Sequence, residues 1–157
     1  MIRFIGKKAW RARLVLLLVG LALGVGPAWA SQPNTFEQQA IETQVLQSFQ
    51  RIYTLWREEL YFELYDMGMQ STQGRLEKAD FAQRMVETTW VPVGNLNPRY
   101  FVLDFRFRTL VYLTARITYA NKYIPEQTIV LDQVWLMMLE DGVWKIDLVQ
   151  VLRSPFS

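Results

Sequence analysis

The chain reads as an α+β domain, a cone-shaped roll in which three N-terminal helices pack on a curved, mostly antiparallel sheet of about four strands. Three observations predict this. Apolar residues between Ile41 and Tyr65 recur in steps of three and four, the helical period. Between Phe101 and Tyr119 apolar and polar residues alternate, as they do in a sheet with one buried face. The helical signal comes first and the strand signal follows, instead of interleaving with it, which separates α+β from repeated βαβ units.

In order along the chain, Thr35 with Gln38 three positions later forms a capping box that opens the first helix. Its stripe is Ile41, Val45, Leu46, Phe49, Ile52, Tyr53, Trp56 and Leu60, continuing through Tyr61, Leu64 and Tyr65. Either one helix bends near Glu58 and Glu59 or two helices abut there, and Gly68 is the stop. Gln70 to Gly74 reads as a turn, Glu77 to Thr88 as a short helix around Phe81, Ala82 and Met85, and Trp90 to Arg99 as a Pro- and Gly-punctuated loop. Everything beyond is predicted as strand. A run from Phe101 to Tyr119 is too long for one straight strand, so a turn or bulge is expected between Arg106 and Thr109. Asn121 to Glu126 is the next reversal, and Gln127 to Leu139 is apolar on both parities, as in a central strand. Asp141-Gly142 is a tight hairpin, after which Trp144, Ile146 and Leu148 face inward on the last strand.

Residues 1–30 read as a cleavable secretory signal: Arg3, Lys7, Lys8, Arg11 and Arg13, then an apolar run from Leu14 to Gly26, then Ala28-Trp29-Ala30. The apolar run falls short of the roughly 20 residues of a permanent span, so no permanent membrane span is expected. Cleavage after Ala30 leaves residues 31–157 as a single exported domain, periplasmic or secreted. It removes five of the 17 Lys and Arg and none of the 15 Asp and Glu, leaving 12 basic against 15 acidic residues and a net charge of −3. The basic balance thus belongs to the signal, and no nucleic-acid partner is expected. The chain has neither Cys nor His, so disulfides and Cys/His zinc sites are excluded. No Gly-rich phosphate loop, dinucleotide fingerprint or nucleophile elbow is present, and no cofactor or metal is expected.

The element order, with Asp141-Gly142-Val143-Trp144-Lys145-Ile146 at the last hairpin, resembles the nuclear transport factor 2-like superfamily, which includes the polyketide-cyclase-like and ketosteroid-isomerase-like proteins. The resemblance covers nearly all of the domain. It implies a cone whose sheet wraps the long helix and leaves a pocket at the open end, and a homodimer through the outer sheet face.

Enzymes with this fold place a titratable group with a shifted pKa inside the cone. Here the apolar parity carries Phe101, Leu103, Phe105, Val111, Leu113, Ile117, Trp144 and Ile146. Asp104, Arg116, Lys145 and Asp147 fall on the opposite one, where they predict a cross-strand ion-pair lattice on the outer face. Asp132 lies in the strand that is apolar on both parities; as a buried acid it is the candidate catalytic base. Gln133 and Gln150 share the inward parity and would orient a ligand by hydrogen bonds, with Trp56, Tyr61, Tyr65 and Trp90 as aromatic walls. Glu58, Glu59, Glu63 and Asp66 read as a wet helix face. Three functions follow. The first is an exported, non-catalytic module binding a small apolar ligand in the cone or a protein on the sheet. The second is a small cyclase, isomerase or dehydratase using a carboxylate. The third is a membrane-anchored scaffold that keeps its N-terminal helix and resembles the periplasmic components of type IV secretion machines.

Overall fold

A computed structural model describes residues 32–156. The expected signal segment and its cleavage site lie outside these residues.

The first helix, α1, spans Thr35–Arg57. Its capping box lies one residue earlier than the Thr35 reading: the Asn34 side chain accepts from Glu37 N at 3.0 Å, and the Glu37 carboxylate accepts from Asn34 N at 2.9 Å. Asn caps at least as well as Thr, and a carboxylate in the first turn also meets the positive end of the helix dipole. Two helices do abut near Glu58: Glu59 takes a left-handed φ of 57° and α2 (Tyr61–Asp66) follows. This helix ends before Gly68. What calls for glycine at 68 is packing, because a Cβ there would stand 2.4 Å from the side chain of Leu148. The expected turn contains a short helix, α3 (Gln70–Gln73), and the expected short helix is α4 (Lys78–Glu87).

Two expectations are corrected. The segment read as a loop begins with strand β1 (Trp90–Val93), followed by a 3-10 turn at Pro98–Tyr100. Pairing of Trp90 with Asn121 and Val93 with Thr118 supplies what local propensity does not, and Pro92 is tolerated because β1 is an edge strand. At the other end the last strand stops at Ile146, and Asp147 caps a final helix, α5 (Leu148–Arg153), by accepting from Val149 N at 2.8 Å. Asp147 is therefore a helix cap and not part of an ion-pair lattice. Leu148 is still fully buried, from a helix.

The remaining strands follow the alternation. β2 (Val102–Phe107) and β3 (Leu110–Asn121) form a hairpin with a register shift between Phe105 and Phe107. β4 (Thr128–Glu140) and β5 (Val143–Ile146) turn at Asp141-Gly142, both with positive φ, 52° and 77°, as a two-residue hairpin requires. The sheet is antiparallel in the order β1-β3-β4-β5, with β2 also on β3. β1 and β2 take opposite ends of the same edge of β3. The product is an α+β half-barrel with helices against one face, compatible with the cone of the nuclear transport factor 2-like fold. Val111, Leu113, Ala115, Ile117 and Tyr119 of β3 meet Trp135 and Met137 of β4, Trp144 and Ile146 of β5, and Val45, Phe49, Ile52 and Trp56 of α1 in one buried core. Each large apolar side chain so buried contributes about 1.5–3 kcal/mol.

Candidate functional site

Inside the cone the aromatic stripe of α1 meets the inward face of β4. The Trp56 ring lies 5.9 Å from both Trp135 and Tyr119, edge-on to each, and Phe49 lies 5.9 Å from Trp135 and 6.2 Å from Phe101. Edge-to-face packing at these separations is favourable beyond the area it buries. The protein's own rings thus pack against one another between α1 and β4. Two polar atoms in this cluster are unsatisfied: the indole N–H groups of Trp56 and Trp135 are buried without a hydrogen-bond acceptor. A neighbouring ring face offers each only a weak substitute.

Three of the expected ligand residues are engaged by the C-terminal segment. Gln133 accepts from the Tyr119 hydroxyl and donates to Pro155 O at 3.1 Å. Trp90 packs edge-on against Phe156 at 6.2 Å. Gln150 donates to Val134 O and accepts from Leu136 N at 3.4 Å. Both amides are therefore spent on fastening the chain's own end to β4. Burial drives the Tyr119 phenol to a raised pKa, so it is a neutral donor. The other two tyrosines lie elsewhere. Tyr65 donates to Leu76 O at 2.7 Å and packs on Phe81. Tyr61 is pushed up to about 12, first by burial and then by Glu59, and receives a long 3.5 Å hydrogen bond from Lys122.

Asp132 is not a buried acid. It lies on the outer face, where its carboxylate accepts two hydrogen bonds of 2.7 Å from Arg116, its cross-strand partner. That hydrogen bonding holds its pKa below the usual carboxylate value, opposite to the upward shift that a general base in an apolar cavity needs. Tyr100 covers the guanidinium of Arg116 at 4.2 Å. The rest of the expected lattice is looser: Arg106 pairs with Asp104 two residues away on the same strand, and Lys145 donates to Asp66 O. No group of three or more acidic side chains that could hold a metal ion is found among the described residues.

Around the Arg116–Asp132 pair the outer face mixes exposed valines with polar residues. Val102, Thr114 and Val134 stand in one cross-strand row, Asp104, Tyr112 and Leu136 in the next, and Thr118 with Val130 on the far side of the pair. Val102, Val130 and Val134 are each more than half exposed, at 63%, 56% and 52%. In the sequence the charges dominate the polar parity, and the signal for this surface is the even-numbered Val102, Val130 and Val134 that share it. Sequence reading missed Tyr119, Trp135 and Phe156, the first two of which share the inward parity with Gln133.

No helix among the described residues is long and apolar enough to cross a membrane. No family model and no curated protein matches the chain.

Proposed function

We propose that the domain is an exported, non-catalytic protein-interaction module of the nuclear transport factor 2-like superfamily, working through the outer face of its sheet and pairing there with a second copy. The single observation that carries this is the contrast between the two faces of the sheet. The inner face is packed with Trp56, Trp135 and Phe49, and Gln133 bonds the C-terminal segment beside it. The outer face leaves Val102, Val130 and Val134 in water around the paired Arg116 and Asp132. Exposed apolar surface ringed by polar groups is the usual composition of a contact surface, and an internally paired Arg and Asp can enter an interface without leaving a charge unmatched. Light scattering on the mature chain tests this. A concentration-dependent dimer is expected, converted to monomer by Tyr112→Glu with thermal unfolding unchanged. A wild-type chain that stays monomeric at every accessible concentration overturns it. Intact mass of the exported protein, expected to begin at Ser31, tests the signal.

A second reading, a container for a small ligand, is favoured by the two unpartnered indole N–H groups in the core. Each could donate a hydrogen bond to a carbonyl or ether oxygen admitted between the rings. Native mass spectrometry of protein purified from its own compartment would show a bound mass if this reading holds.

A further inference from the structure

The two edges of β4 are not equally covered. Leu139 N donates to Thr109 O at 2.9 Å and Asn121 N to Gln127 O at 3.0 Å, so the odd-numbered residues of β4 are those bonded to β3. The even-numbered residues aim their N–H and C=O groups the other way. There β5 pairs Met138 with Lys145 and Glu140 with Val143 and reaches no further. Gln150 continues the edge by one step, its side-chain amide taking Val134 O and Leu136 N in the manner of a strand. Below that point no described residue pairs with the backbone groups of Val130 or Asp132, although both residues are exposed. Natural sheets normally shorten, charge or cover such an edge, and here about half of a 13-residue strand is left open.

Beside this edge lies a hollow of about 360 Å3 lined by Leu131, Asp132, Gln133, Val134, Gln150 and Pro155. A strand added to β4 would send alternate side chains into it, and the others over Val130 and Val134 on the outer face. A second copy of β4 paired at this edge would leave the hollow unfilled, because its inward residues Ile129, Gln133 and Trp135 are held in their own domain's core. Charge narrows the occupant further. Asp132 is already matched by Arg116, whereas Glu126, exposed where the edge begins, has no ion-pair partner among the described residues. In an antiparallel addition the residue facing Glu126 falls at the C-terminal end of the incoming strand.

We propose that the edge of β4 from Thr128 to Val134 is a strand-addition site for an extended segment of a partner protein, apolar at alternate positions and basic at its C-terminal end. The site goes beyond the outer-face reading and does not depend on it.

The test is amide hydrogen exchange on the full mature chain with a synthetic peptide of alternating Val and Thr ending in two Lys, at up to roughly millimolar concentration. Exchange at the Val130 and Asp132 amides is expected to slow, roughly tenfold at ten times the dissociation constant. A Glu-ended peptide should protect less. Val130→Pro should abolish protection while keeping the fold, since β3 does not use that N–H. Should this variant misfold, the same peptide N-methylated at alternate backbone nitrogens should fail on the wild-type protein. No protection at these amides, equal protection by the N-methylated peptide, or effects confined to the surroundings of Tyr112 would overturn the site. Tyr112→Glu should leave protection intact, so failure of the dimer and failure of the edge are separately visible.

Discussion

Gly68→Ala probes the joint between the helical layer and the end of the sheet. The backbone around it is pinned: Ile146 N donates to Met67 O at 3.0 Å and Met69 N donates to Ile146 O at 2.9 Å. A new Cβ would stand 2.8 Å from Leu148 Cδ2 and 2.4 Å from Cγ and Cδ1, the last two more than 1 Å inside the normal carbon–carbon contact of about 3.5–4.0 Å. Leu148 is fully buried and begins α5, so neither side yields freely. Overpacking of this kind costs about 1–3 kcal/mol. The φ at Gly68 is not left-handed, so the substitution also removes unfolded-state entropy and returns about 0.4–1 kcal/mol. The expected net loss is about 1–2 kcal/mol. Leu148→Ala alone should cost about 2–5 kcal/mol through the cavity it leaves. Since truncating Leu148 vacates the space that the new methyl at position 68 needs, the double variant should be more stable than the sum of the single losses by about 1 kcal/mol or more. Urea unfolding followed by tryptophan fluorescence measures all four proteins, with shifts read from the midpoint at constant slope. Strict additivity, or a Gly68→Ala protein as stable as wild type, refutes the packing account.

Gln133→Leu should cost about 1–3 kcal/mol, because it strips a partner from the Tyr119 hydroxyl and from Pro155 O in a buried setting, and carboxypeptidase should trim the C-terminal residues faster. Asn34→Ala should lose about 1 kcal/mol with its capping box while Asn34→Asp stays near wild type, as read by thermal unfolding. Tyr61, Tyr53 and Tyr119 all have pKa values raised by burial above the unfolded 10.0, so the folded state favours their neutral forms. That stabilisation is complete below pH 10.0 and is lost as pH climbs toward the folded values, about 12 for Tyr61. Alkaline titration should therefore show part of the tyrosinate absorbance appearing only with loss of circular dichroism; full ionisation near pH 10 in a folded protein would contradict it.

The helical stripe of α1, the hairpin at Asp141-Gly142, the reversal near Arg108 and the inward parity of β3 were all legible, because each is written in residues close together in sequence. The errors cluster where a distant partner decides. Trp90–Val93 contains a proline and sits among turn residues, yet it becomes strand because β3 offers it an edge. Asp147 through Arg153 follows directly on the alternating Trp144 and Ile146 and still coils, since Asp147 can cap and Leu148 finds the space over Gly68. Asp132 was ambiguous because β4 is apolar on both parities; only its register opposite Arg116 places it on the outer face.

From the residues alone came the α+β class, the order of helices before sheet, the turn positions and the exclusion of thiol, imidazole and phosphate-loop chemistry, all set by composition and local periodicity. The aromatic packing between α1 and the sheet was decided only by the tertiary structure. It depends on how Trp56, Trp135 and Phe49, far apart in the chain, meet across a curved sheet. So does the open stretch of β4: an edge exists only where a neighbouring strand stops, and β5 stops at Ile146 because the chain turns there into a helix.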